Sequence, residues 1–126
     1  TGTAYEDVLA SSAMGLNLGR RNDVPLYSSD RLAQMAGSGL LVFLDRATGY
    51  AEVLGEEGFG FFSTEDELVE KIARFAADDA ARRRTAEAGW RAYRHAFDAT
   101  RVAAYMLDVI FGIRPPALAA WTDAGA

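Results

Sequence analysis

The chain contains no cysteine, a single histidine and three prolines among its 126 residues. Without thiols it can form neither a disulfide nor a thiolate metal site, which fits a cytoplasmic setting. Its formal net charge of −5 argues against non-specific binding to nucleic acid. No apolar run approaches the roughly 18 residues that a membrane-spanning helix needs. We therefore expect neither a membrane span nor a nucleic-acid partner.

The composition is that of one globular domain. Hydrophobic residues make up 50% of the sequence and charged residues 25%, as is usual for globular proteins. Gly112 ends the last helical pattern, and Pro115 and Pro116 prevent the helix from resuming. We therefore expect a domain over residues 1–112 and a tail over residues 113–126.

The stretch 28–45 is the most informative part of the sequence. It predicts a helix that begins at one of three preferred N-cap residues, Ser28, Ser29 and Asp30. The positions of this helix that face the core are Leu32, Met35 and Ala36. Gly37 or Gly39 supplies the left-handed residue that ends it. The apolar run 40–44 then predicts a strand covered on both faces, as in parallel sheets.

The remaining patterns place further elements on both sides of this unit. They predict a helix over 5–12, strands over 14–18 and 58–62, a helical turn over 49–54, and three helices after Thr64. The first of those three helices carries an apolar stripe of Leu68, Val69, Ile72, Phe75 and Ala76. Gly58 and Gly60 are expected to allow tight packing. The order predicts an α/β fold: a partial three-layer, Rossmann-like domain with about three parallel strands, flanking helices and a C-terminal helical segment.

The helix start after the first predicted strand is a candidate phosphate site. In an open parallel sheet it lies at the carboxyl edge, where ligands bind. Free backbone N–H groups and the helix dipole favour an anion there, and Arg20, Arg21 and Arg31 add positive charge. The alternative is that residues 28–30 only cap the helix and that the arginines are solvated.

Other polar residues have two interpretations each. Asn17, inside the first strand, is expected to bond a neighbouring loop rather than a ligand. Asp45, at a strand end, either contacts a ligand or caps the turn through Thr48. His95 is expected on the surface, and residues 82–84 form a basic run expected to be a solvated helix face.

Two blocks of sequence carry a resemblance to a known family. They are RLAQMAGSGLLVFLD at 31–45 and the segment from Gly58 to Leu107, which contains nearly the spacing AxxGxxxxxxxxF at Ala86, Gly89 and Phe97. In order and spacing they resemble the C-terminal part of a GT-B-fold, group-1-type glycosyltransferase, most like the spore-maturation-protein-like branch.

The resemblance implies a donor site for a nucleotide-diphosphate sugar, transfer of the sugar to an unknown acceptor, and no metal or other cofactor. It also implies a missing N-terminal domain, so that this segment alone is expected to be inactive. With the phosphate site described above, this gives Arg20, Ser28, Ser29, Arg31 and Gln34 as the candidate substrate-binding residues. Two family glutamates fall at Gln34, which can exchange hydrogen bonds with ribose but carries no charge, and at Leu26, which cannot. No catalytic residue is assigned.

A rival hypothesis is a non-catalytic α/β interaction module. An exposed edge beside the strand at 14–18 would pair with another chain and form a homodimer. A flavodoxin-like phosphate binder is a third option, disfavoured because the first strand does not end in an acidic cluster.

Overall fold

The computed structural model describes residues 2–21, 24–27 and 29–113. Strands and helices alternate up to the third strand, and three helices follow it. The elements are α1 (Thr3–Ser11), β1 (Met14–Asn17), α2 (Asp30–Gly37), β2 (Leu41–Asp45), a 3₁₀ turn (Arg46–Thr48), α3 (Tyr50–Leu54), β3 (Gly60–Phe62), α4 (Glu65–Ala77), α5 (Asp79–Phe97) and α6 (Ala99–Ile110). The predicted α/β, Rossmann-like class is confirmed. Residues 114–126, including the predicted tail segment with Pro115 and Pro116, lie outside the described residues.

The three strands form one open parallel sheet in the order β1-β2-β3. Leu16 of β1 pairs with Phe43 of β2, and Phe43 pairs in turn with Gly60 of β3. Helix α2 connects β1 to β2, as the parallel direction of the two strands requires. β2 is therefore the central strand, and the carboxyl ends of all three strands lie at one edge.

β2 separates two apolar cores because its side chains point alternately to the two faces of the sheet. Leu41 and Phe43 pack on one side in a cluster with Phe75 and Ala86. On the other side Val42 and Leu44 belong to a cluster that contains the buried face of α2, namely Leu32, Met35 and Ala36. The prediction that this strand is covered on both faces is confirmed, as is the predicted core face of α2. Gly39, at φ 79°, supplies the left-handed residue after α2.

The backbones of Gly58 and Gly89 touch where α5 crosses the chain that leads into β3. A Cβ added at Gly89 would lie 2.1 Å from the Gly58 carbonyl oxygen, closer than real Cβ atoms come to a neighbour. A Cβ at Gly60 would lie 2.3 Å from a ring carbon of Phe43. The expectation that Gly58 and Gly60 allow tight packing is confirmed. The contact also explains physically why the pattern around residue 89 requires a glycine.

Two expectations about helix faces were wrong. Val69 is 66% exposed and Ala76 is also exposed, because α4 buries a narrower stripe than the pattern suggests. Arg82 does not lie on a solvated face: its side chain is 13% exposed and its Nη1 donates to the Ala13 carbonyl at 3.2 Å. Arg83, which pairs with Asp79, is exposed as expected.

The start of α4 is a capped helix terminus, as the Thr64–Glu67 spacing indicates. The Thr64 hydroxyl accepts from the backbone N–H of Glu67 at 3.2 Å, and the Glu67 carboxylate accepts from the backbone N–H of Ser63 at 2.8 Å. Lys71 donates to the same carboxylate at 2.7 Å. The Lys71 hydrogen bond, and after it the Ser63 hydrogen bond, lower the pKa of Glu67.

Among the described residues, no helix combines the length and the apolar composition that crossing a membrane requires.

Replacing Gly89 by alanine is expected to lower the free energy of unfolding by about 1–3 kcal/mol, the usual cost of overpacking. The new methyl group would push α5 away from Gly58. Gly37→Ala is the matched control, because nothing lies within 4 Å of a Cβ at that helical position. It should be neutral or stabilise by up to about 1 kcal/mol. Urea denaturation measures both, and equal effects would contradict the close-contact interpretation.

Glu67→Gln is expected to make the stability of the fold less dependent on pH. The folded-state pKa of Glu67 lies below its unfolded value, so its stabilising contribution is present above the unfolded pKa and disappears as the pH falls through the folded pKa. The difference between wild type and variant should therefore be fully present near about pH 7 and shrink progressively as the pH falls below about 4. Denaturant midpoints over this range measure it. Glu70→Gln, on an exposed position of the same helix, should have the smaller effect.

Candidate functional site

A cleft of about 550 Å³ opens at the carboxyl end of β1. Its walls come from the end of this strand, the loop that follows it and the first turn of α2. The lining residues are Asn17, Gly19, Arg20, Tyr27, Ser29 and Arg31. The cleft thus lies at the edge of the sheet where open α/β folds bind their ligands.

The N-terminus of α2 faces this cleft without a side-chain cap. Ser29 occupies the N-cap position, as predicted, but its side chain makes no capping hydrogen bond to the helix. Instead the Ser29 hydroxyl accepts from Nε of Arg31 at 3.3 Å. The first N–H groups of a helix have no partner within the helix, so they remain a local source of positive potential.

Arg31 connects the two sides of the cleft. Its Nη2 donates to the Leu18 carbonyl at 3.0 Å, just beyond the end of β1, while its Nε reaches Ser29. A guanidinium carries further N–H donors in the same plane, arranged to suit a phosphate or carboxylate. Arg20, from the loop after β1, adds a second exposed cation to the same cleft.

The segment 24–27 forms a turn that is attached to the neighbouring connection of the sheet. Tyr27 N–H donates to the Val24 carbonyl at 3.1 Å, and Leu26 between them has φ 57°. Leu26 N–H donates to the Thr48 carbonyl at 2.8 Å, and the Tyr50 hydroxyl donates to the Leu26 carbonyl at 3.0 Å. These bonds hold the backbone next to Tyr27, which lines the cleft.

The floor of the cleft contains Asn17, the last residue of β1. Its side chain is buried, with 4% of the residue exposed. Within the described part of the chain its Oδ1 has no hydrogen-bond partner. For this oxygen, the hydrogen bond to a neighbouring loop that was expected of Asn17 is therefore not found among the described residues.

The structure brings three of the five predicted site residues together. Arg20, Ser29 and Arg31 line one cleft. Gln34 is exposed on α2 and is not among the lining residues. Ser28 lies outside the described residues.

Two other polar residues that the sequence analysis considered, Asp45 and His95, do not line the cleft. The Asp45 carboxylate accepts from the backbone N–H of Ala47 at 2.9 Å, and the Thr48 hydroxyl donates to the Asp45 carbonyl at 2.6 Å. This is the turn-capping arrangement that the sequence suggested as one alternative. His95 is exposed on α5, as expected. No group of three or more metal-ligating side chains occurs in residues 2–21, 24–27 and 29–113.

Sequence reasoning named neither Asn17 nor Tyr27 as a cleft residue. Asn17 carried a usable signal, since a polar side chain at the carboxyl end of a parallel strand is a common ligand position. Tyr27 carried none, because its place depends on the turn that Leu26 makes.

A cleft with two cations, a serine hydroxyl and a helix N-terminus is suited to an anionic ligand. The sequence model of a protein family described as glycosyl transferase-like matches residues 1–108 of the chain. The chain belongs to this glycosyl transferase-like family. No curated protein and no solved structure shows significant similarity to it. Membership supports glycosyl transfer as the general activity of this glycosyl transferase-like protein, and that reaction requires a sugar donor.

Proposed function

We propose that residues 1–112 form the donor-side domain of a GT-B glycosyltransferase of the spore-maturation-protein-like branch, which binds a nucleotide-diphosphate sugar. The observation that carries the proposal is the cleft at the carboxyl end of β1, which the first turn of α2, Arg20 and Arg31 line together. A nucleotide diphosphate is the anionic part of the donors that such an enzyme uses. The acceptor and the catalytic base remain unassigned.

The diphosphate would bind at the start of α2. Backbone N–H groups of its first turn and the Ser29 hydroxyl would donate to phosphate oxygens. Arg31, already oriented by Leu18 and Ser29, would donate from its remaining N–H groups, and Arg20 would close over the other side. Charge-assisted hydrogen bonds of this kind are about twice as strong as neutral ones.

The nucleoside would extend from the diphosphate along α2. Gln34, one turn beyond Asp30, would exchange hydrogen bonds with the ribose hydroxyls, and Ser28 would join Ser29 at the phosphates. The sugar to be transferred would then face the acceptor side of a larger enzyme, in which the reaction would take place.

Arg31→Gln is expected to weaken the binding of uridine or guanosine diphosphate about tenfold, because a charged donor to phosphate is lost. Titration calorimetry measures the affinity, and amide chemical shifts locate the binding. The shifts of wild type should concentrate at residues 29–34.

Arg83→Gln is the matched control, since Arg83 is an exposed arginine of α5 that pairs with Asp79 and does not line the cleft. It should bind like wild type. The donor-site proposal fails if residues 29–34 show no shifts at millimolar nucleotide, or if both arginine variants lose affinity equally.

A second candidate function is an interaction module that forms a homodimer through β1. In the described chain β1 pairs with β2 alone, and Leu16 and Leu18 are 40% and 51% exposed. At the opposite edge Lys71 donates to the Phe61 carbonyl of β3, and a lysine there discourages pairing.

The molecular mass of the protein in solution distinguishes the interaction module from the donor-binding domain. The module predicts a dimer that Leu16→Lys dissociates and that binds no nucleotide. Val69→Lys, at an exposed apolar position of α4, is the control and should not change the mass. A monomer that binds nucleotide would exclude the module.

A further inference from the structure

Asn17 is a feature of the cleft that the diphosphate does not explain. It is one of two buried polar residues in the described chain, and the other, Thr48, donates its hydroxyl to the Asp45 carbonyl. The Asn17 Oδ1 has no such partner in the same residues. Buried polar atoms are nearly always hydrogen-bonded, and leaving one without a partner destabilises the fold.

One donor of the cleft, the Arg31 guanidinium, is directed elsewhere. Arg31 donates to the Leu18 carbonyl and to the Ser29 hydroxyl, although both it and Asn17 line the cleft. The side-chain oxygen of asparagine is an acceptor only, and so are the oxygens of an ionised phosphate. A diphosphate alone therefore cannot supply the missing partner, whereas a hydroxyl attached near it can.

We propose that Asn17 is a specificity-determining residue whose side-chain oxygen accepts a hydrogen bond from a hydroxyl of the bound donor, next to the diphosphate. The oxygen has almost no exposed surface, so a ligand hydroxyl would reach it once the amide turns about the Cβ–Cγ bond. The inference rests on the proposed donor site. It adds that this site distinguishes a hydroxyl-bearing ligand from a bare diphosphate.

Asn17→Leu tests the assignment, because leucine has nearly the same size and no acceptor. The probes are inorganic pyrophosphate, uridine diphosphate and uridine diphosphate glucose, titrated by calorimetry. Loss of one hydrogen bond is expected to weaken the hydroxyl-bearing probes about tenfold and to leave pyrophosphate unchanged. If Asn17→Leu already lowers the affinity for uridine diphosphate, the hydroxyl belongs to the ribose. If it lowers only the affinity for uridine diphosphate glucose, the hydroxyl belongs to the transferred sugar.

Stability of the unliganded protein gives a second readout. Removing an oxygen that has no partner within the described chain should keep or raise the denaturant midpoint, whereas Thr48→Val, which removes a paired buried hydroxyl, should lower it. Thr48→Val should also leave the ratio of nucleotide to pyrophosphate affinity at its wild-type value. Asn17→Ala repeats the binding test with a smaller side chain in case leucine distorts β1.

The outcomes separate the two proposals. If wild type binds none of the three probes, the donor site fails and the role of Asn17 fails with it. If wild type binds them and both Asn17 variants lose pyrophosphate affinity as strongly as nucleotide affinity, the amide serves the phosphates and the inference is overturned. It is also overturned if the variants bind every probe like wild type.

Discussion

The fold depends on the burial of β2 on both of its faces. The first four residues of this strand are almost completely excluded from solvent, and their side chains divide the interior into two apolar clusters. Covering one face requires α2 to lie against Val42 and Leu44 through its own buried stripe. Because α2 connects β1 to β2, which run parallel, this packing brings its first turn to the carboxyl end of β1. The position of the cleft is therefore a consequence of how the core is filled.

Much of this could be predicted because the relevant information is local. A run of apolar residues at 40–44, preceded by a capped helical pattern and a glycine, predicts a crossover unit almost regardless of what surrounds it. The same holds for the start of α4, where all of the contacts lie within five consecutive residues. The Thr64 hydroxyl accepts from the Glu67 N–H, and the Glu67 carboxylate accepts from the Ser63 N–H. For the cleft, the sequence predicted Arg20, Arg31 and the helix start, whereas Arg21, which was expected beside them, is not among the lining residues.

What could not be predicted depends on contacts between distant parts of the chain. Arg82 bonds the Ala13 carbonyl across 69 positions, so its basic neighbours gave no indication that its side chain is largely buried. Val69 fits an apolar stripe but lies outside the part of α4 that the sheet covers. Asn17 could be placed within the first strand from the pattern, yet whether its oxygen has a partner depends on where the following loop lies. The spacing of residue types in a sequence indicates which side of a helix or strand is buried and where the element ends. It does not indicate which distant residues form contacts there.

Beside the cleft, two residues adopt conformations or surroundings that their residue types normally disfavour. Leu26 adopts φ 57°, a conformation that costs a residue with a bulky side chain about 1–3 kcal/mol, and it is maintained by bonds to Thr48 and Tyr50. Asn17, at the end of β1, is buried with an oxygen that has no partner among the described residues. Elsewhere in the described chain, by contrast, the cap at the start of α4, the close-packed glycines and the core face of α2 agree with the structure around them. Unfavourable features persist where the surrounding structure imposes them and where binding can compensate for them. Two such features beside one cationic cleft are therefore an argument for ligand binding that does not depend on the charges themselves.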